Sequence, residues 1–180
     1  MKLELLAIGE LDRRLLEDLC TQMGRVFRVS CEVVNGTLSP EFAFHPERGQ
    51  YHSSEILAHL QQRARSTGWR LLGVTAVDLY IPILTFVFGE AQLGGRCAVV
   101  SIHRLRQEFY GLPADSNLLH DRLLKEAVHE LGHTLQLMHC DDYGCVMAAS
   151  HAVEWIDLKG PRLCADCHNR VLLNTNWQDR

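Results

Sequence analysis

The feature that most narrows what this chain can be is a crowding of metal-binding side chains in its last third. Three of its ten histidines fall within Val128–Cys140, and four of its seven cysteines fall within Cys140–Cys167. The first of these residues form His129-Glu130-Leu131-Gly132-His133, inside a run from Ser116 or Asn117 to about Gln136 whose spacing predicts a helix. Four helical residues turn through about 400°, so His129 and His133 share a face about 40° apart, one turn above the other. Two imidazoles so placed can take the same tetrahedral metal. Glu130 lies about 100° round from His129, close enough to reach a water on that metal without ligating it. A carboxylate in that position can take a proton as the water attacks a carbonyl.

His139 is the third candidate ligand. On an unbroken helix it would point away from the other two, so it can join them only if the chain leaves the helix after His133 and doubles back. Such reversals usually place Gly three residues after the second His, because left-handed backbone costs a residue with a Cβ about 1–2 kcal/mol. Gln136 occupies that position here. The site therefore requires Gln136 to adopt the left-handed conformation, a cost that zinc binding, worth several times more, can offset.

Cys140-x4-Cys145 and Cys164-x2-Cys167 have the spacing of zinc knuckles. Four thiolates close a tetrahedron and leave no position for a substrate, which is structural chemistry. Because Cys140 directly follows His139, one peptide unit would serve two metals. Cys20, Cys31 and Cys97 fall in apolar segments and are expected to be core residues.

Ahead of this region the pattern is that of a layered α/β sheet. Leu3–Ile8 reads as a buried strand, Leu11–Met23 as a helix stopping at Gly24, and Val26–Val34 as a strand ending in an Asn35-Gly36 turn. Thr37–Gln50 reads as irregular. Ser53 or Ser54 is expected to cap a helix to about Arg65. Leu71–Val77, Leu84–Phe88 and Cys97–Ile102 read as strands, the last two neighbouring and antiparallel through Gly94-Gly95. Short helices are expected near Val153–Leu158 and after Asp166. No linker or repeat divides the chain, so residues 1–180 read as one domain. Its parts are 1–115 (sheet and backing helices) and 116–180 (histidine helix and cysteine site).

With 180 residues, 47% of them hydrophobic, the chain can bury a core without disulfides. Its charge of −4, from 18 basic and 22 acidic side chains, comes with no Lys/Arg block, so neither nucleic acid nor an anionic membrane is an expected partner. The opening MKLELLAIGE lacks the layout of a secretory signal, and no run approaches the ~18 apolar residues of a membrane span. A soluble, cytoplasmic monomer is the expectation.

The run His129–Cys140, followed by Cys145-Val146-Met147 and Cys164-Ala165-Asp166-Cys167, resembles the archaemetzincins, metzincin-clan metalloproteases with an added four-cysteine zinc site. Earlier segments resemble that family too: Arg48-Gly49-Gln50-Tyr51, Gly73-Val74-Thr75, Asp78-Leu79-Tyr80, Phe86-Val87-Phe88-Gly89 and Ala98-Val99-Val100-Ser101. The resemblance implies a metzincin-like fold, a twisted mixed sheet with an antiparallel edge strand packed on the active-site helix, and a C-terminal part stapled by zinc. It implies two zinc ions. One would be catalytic, on His129, His133 and His139, with Glu130 as general base. The other would be structural, on Cys140, Cys145, Cys164 and Cys167. Met147 would form a Met-turn beneath the histidines, and the strand near Leu84–Phe88 would be the edge along which a peptide lies.

The leading expectation is thus a zinc metallopeptidase hydrolysing peptide bonds with an activated water. The rival is a catalytically silent zinc protein whose cleft binds a peptide or partner. Glu130 favours the first, since binding alone needs no base there, and Gln136 favours the second.

Overall fold

In the computed structural model, which describes residues 1–64 and 68–178, a five-stranded sheet runs in the order β2-β1-β5-β8-β7. The elements in chain order are β1 (Lys2–Ile8), α1 (Arg13–Phe27), β2 (Ser30–Leu38), β3 (Phe44–His45), β4 (Gln50–His52) and α2 (Ser53–Arg63). They continue with β5 (Trp69–Thr75), β6 (Leu79–Tyr80), β7 (Gly89–Ala91), β8 (Cys97–Ser101), α3 (Ser116–Thr134), α4 (Val153–Leu158) and α5 (Ala165–Gln178). β2, β1, β5 and β8 are parallel, and β7 closes one edge antiparallel to β8. A sheet covered on both faces needs central strands apolar on both sides, and β1, β5 and β8 are. Leu3, Leu5, Leu72, Val74, Ala98 and Val100 face α1 and α3. The alternate residues Leu6, Ile8, Leu71, Cys97 and Val99 pack with Ile56, Leu57 and Leu60 of α2.

Several boundaries differ from the sequence expectation. α1 passes through Gly24 and ends at Phe27, with Arg28 left-handed at φ 54°. Gly24 eases a close approach, since a Cβ there would sit a tight 3.1 Å from the Val29 carbonyl. Asn35-Gly36 does not end β2. The register against β1 jumps from Leu5↔Val33 to Ala7↔Thr37, so the pair forms a bulge within the strand, and Gly36 takes φ 92°. β1 offers a parallel partner on both sides of that bulge, which local turn chemistry cannot reveal. Ser53 and Ser54 do not cap α2, whose N-cap is His52. Their hydroxyls donate instead to Glu90 on β7, at 2.5 and 2.8 Å. The expected end of that helix, Arg65, lies outside the described residues.

Leu84–Phe88 is not a strand; the sheet edge is Gly89–Ala91. The segment keeps one antiparallel bridge, Leu79↔Val87, while the carbonyls of Leu84 and Thr85 are taken by the Arg48 and Gln50 side chains. A small second sheet, β3-β4-β6, lies in and beyond the stretch read as irregular. Cys20 and Cys31 are not separate core thiols. They form a disulfide between α1 and β2, with Cα atoms 5.5 Å apart, a pairing made by the packing of helix on strand. Cys97 is a buried thiol, as expected. Among the described residues no helix is long and apolar enough to cross a membrane.

Candidate active site

α3 is capped by Asp115, whose carboxylate accepts from the Leu118 amide at 2.9 Å, and runs from Ser116 to Thr134. The end of this helix decides the site. The Gln136 amide donates to His133 O at 3.0 Å and the Leu137 amide to Gly132 O at 3.1 Å, the two bonds of a Schellman motif. The residue such a motif places in left-handed backbone is Gln136, at φ 65°. The chain thus reverses where a doubling back was required, and His129, His133 and His139 converge with ring nitrogens all within 4.8 Å of one another.

Hydrogen bonds fix which nitrogens converge. His129 Nδ1 lies 2.8 Å from Val146 O and His133 Nδ1 2.7 Å from Leu137 O. A carbonyl only accepts, so both Nδ1 atoms carry the proton and both Nε2 atoms present bare lone pairs. Those two Nε2 atoms are 3.1 Å apart. Two facing lone pairs repel unless a cation lies between them, and ligands about 2.0–2.1 Å from a tetrahedral zinc stand about 3.4 Å from each other. The donor set therefore fits zinc. Burial first, then the Lys159 charge and the neighbouring histidines, pushes His129 well below the ordinary histidine range. Burial is also the largest cause of lower values at His133 and His139. All three are thereby kept neutral, as ligation needs.

Met147 is fully buried under this turn. A Cβ on Gly132 would collide with its sulfur, so the glycine inside the motif is what admits Met147 against the helix. Glu130 is buried between α3 and the sheet edge. A Cβ on Gly89 would lie 2.7 Å from the Glu130 carboxylate and 2.6 Å from Val99 O, so only glycine lets the two elements close. Burial, then the neighbouring charge of Glu126, raises the Glu130 carboxyl well above the usual range, against the pull of Lys159.

The four cysteine sulfurs form the second cluster, also within 4.8 Å of one another. Cys140 and Cys164 Sγ are 3.8 Å apart, matching the sulfur separation of about 3.8 Å that a tetrahedral Zn–S bond of about 2.3 Å implies. The Cys140 amide donates to Met147 O at 2.9 Å, so the cysteine loop, the turn at Met147 and the third histidine are braced together.

A cleft of ≈ 590 Å³ opens over His129, Glu130, His133 and His139, walled by 84–91 on one side and 149–151 on the other. Along β7 the hydrogen-bonded pairs with β8 are recognisable from Gln92 N to Cys97 O (3.1 Å) and Ser101 N to Phe88 O (2.8 Å). By the antiparallel alternation, Glu90 faces β8 while the backbone groups of Gly89 and Ala91 face the open edge.

The sequence reading passed over several residues here. His151, an exposed residue, lines the cleft. Glu126 also lines it and forms a buried ion pair with Lys159 at 2.8 Å. Lys159 further donates to Ala148 O at 3.2 Å, beside Met147. The i, i+4 relation of Glu126 to Glu130 was a legible signal; the partner from beyond α4 was not.

A sheet edge laid along a helix whose imidazoles converge beside a buried carboxylate defines a metallopeptidase. The family model described as Peptidase family M54 matches residues 39–172. An archaemetzincin of Methanocaldococcus jannaschii is 41% identical over 171 residues, covering 95% of this chain and 93% of its own length. Among solved structures, the archaemetzincin of Archaeoglobus fulgidus complexed with malonate superposes with a TM-score of 0.81 at 35% identity, over 94% of this chain and 99% of that one. A zinc-dependent peptidase from Methanocorpusculum labreanum gives 0.86 at 30% identity, with the same coverage. The chain belongs to peptidase family M54, the archaemetzincins.

Proposed function

We propose that this metallopeptidase hydrolyses peptide bonds with Glu130 as general base, on a catalytic zinc held by His129, His133 and His139. A second, structural zinc would be held by Cys140, Cys145, Cys164 and Cys167. The convergence of three neutral imidazoles beside the buried Glu130 is the observation that carries the reading. When bound there, zinc would polarise the scissile carbonyl and acidify a water.

The residues supply the rest. Gly89 and Ala91 offer the open edge of β7 to the backbone of an extended peptide, holding the scissile bond over Glu130. Glu130 takes the proton of the attacking water and passes it to the leaving amine. The carbonyls of Val146 and Leu137 hold the His129 and His133 imidazoles in one tautomer and orientation. The silent-module alternative drew on Gln136, and the closed turn at that residue supports the enzyme instead. Every named group comes from one chain, so a monomer suffices. The cytoplasm, which keeps the Cys140, Cys145, Cys164 and Cys167 thiols reduced, is the compartment we assign, with Cys20–Cys31 as a pairing it must tolerate.

Zinc per chain, measured on wild type and His133→Ala after dialysis against a weak chelator, should fall from two to one. Glu130→Ala should keep both metals and lose hydrolysis of a peptide library. One zinc in both wild type and His133→Ala would remove the catalytic site, and unchanged turnover in Glu130→Ala would remove the base.

A further inference from the structure

The cleft wall formed by Leu84–Phe88 is not a strand. Its backbone is pinned at three points, Leu84 N to Ile81 O (3.0 Å), Val87 N to Leu79 O (2.9 Å) and Ser101 N to Phe88 O (2.8 Å), and between them it is held by side chains that reach it from elsewhere. Arg48 Nη2 donates to the carbonyls of Leu84 (3.1 Å) and Thr85 (3.0 Å), and Gln50 Nε2 donates to Thr85 O at 3.1 Å. Arg48 and Gln50 are tied to each other at 3.0 Å. Asp78 lies at the centre. It accepts from Gln50 Nε2 at 2.9 Å and takes a two-pronged contact from Arg104, with both bonds 2.7 Å. The Arg104 guanidinium in turn stacks on the Phe86 ring at 4.2 Å and on Phe109 at 4.7 Å.

Arg48, Gln50, Asp78 and Arg104 are absent from the cleft lining, whereas Leu84, Thr85 and Phe86 are in it. The four polar groups therefore act on a bound peptide only through the segment they hold. They include Arg48 and Gln50 of the Arg48-Gly49-Gln50-Tyr51 segment and Asp78 of Asp78-Leu79-Tyr80, residues that the zinc chemistry leaves unused.

We propose that Asp78 is a positioning residue that, through Arg104 and Gln50, sets the substrate-facing shape of Leu84–Phe88 and so governs recognition of an extended apolar peptide without contributing to the zinc site. The inference rests on the metallopeptidase reading of the cleft. The apolar preference follows from Leu84, Leu93 and Met138, which are exposed at the cleft. Asp78 is suited to the task because the hydrogen bonds of Arg104 and Gln50 outweigh its burial and hold its carboxyl below the usual range, so it stays charged.

Two probes separate the lip from the metal: acetohydroxamate, which can only chelate, and a leucine-based peptidyl hydroxamate, which also lies along the cleft. Both are titrated by calorimetry into the zinc-loaded full chain, as wild type, Asp78→Asn, and the more exposed Arg48→Ala in case the first variant folds poorly. Loss of these charge-assisted contacts should weaken the peptidyl probe at least about tenfold in either variant and leave acetohydroxamate within about twofold. Peptidyl affinity unchanged in both variants, or both probes weakened alike, would overturn the assignment. Acetohydroxamate binding to wild type no better than to His133→Ala would overturn the metallopeptidase reading itself, and the inference with it.

Discussion

Lys159→Met tests whether the buried pair beneath the cleft behaves as an ion pair. The Glu126 and Lys159 side chains are 4% and 1% exposed, with Nζ 2.8 Å from Oε1. Removing the ammonium leaves a carboxylate with no counter-charge in a dry site, and its least costly escape is to bind a proton. Burial already raises the Glu126 carboxyl, with Lys159 pulling it back. Keeping a glutamic acid of unfolded pKa about 4.3 protonated costs about 1.4 kcal/mol per pH unit above that value, or about 4.4 kcal/mol at pH 7.5 and about 1.6 at pH 5.5. The lost bond to Ala148 O adds about 1–2 kcal/mol at either pH. The sign is unambiguous: a carboxyl whose folded pKa is raised stabilises less as pH climbs from its unfolded value toward its folded one. Relative to wild type at the same pH and in saturating zinc, the variant should therefore lose about 3 kcal/mol more at pH 7.5 than at pH 5.5. In melting temperature that is a difference of about 5–10 °C. The double variant Lys159→Met/Glu126→Gln should show almost none of this pH dependence. A loss equal at both pH values would refute the reasoning.

Gly132→Ala should drive a Cβ into the Met147 sulfur and cost about 1–3 kcal/mol in a denaturant melt, with the loss reduced when Met147 is also cut to Ala. Cys164→Ala should release the cysteine-bound zinc and lower the melting temperature by more than about 10 °C, since such a site contributes its binding energy to folding. A melt equal to wild type would exclude a structural zinc. Because burial holds His129, His133 and His139 below the ordinary histidine value, their contribution to the stability of the metal-free protein should be complete above about pH 6.5 and be lost as pH falls below it. Zinc retention, followed by elemental analysis, should decline over the same range, as protons compete for the Nε2 lone pairs.

Two kinds of information separate cleanly in this chain. One kind is written in periodicity and spacing. His129 and His133 share a helical face because four residues make little more than one turn, and the cysteine pairs have the intervals of zinc knuckles. The apolar runs at Leu3–Ile8 and Cys97–Ile102 are strands because their alternate residues serve two different cores. Gln136 was legible as a residue that must turn left-handed, and it does. The tertiary structure decided whatever depends on a partner distant in the chain. Asn35-Gly36 carries every local mark of a turn, yet β1 continues past it, and ladder pairing on both sides makes it a bulge. Leu84–Phe88 is as apolar as a strand, yet Arg48 and Gln50 claim the carbonyls that a ladder would need. Cys20 and Cys31 meet only because α1 lies on β2, and Lys159 reaches Glu126 only because the chain beyond α4 folds back under the histidines. Local pattern fixes which backbone shapes are cheap for a residue, whereas the partners of its polar groups are set by where the rest of the chain has gone.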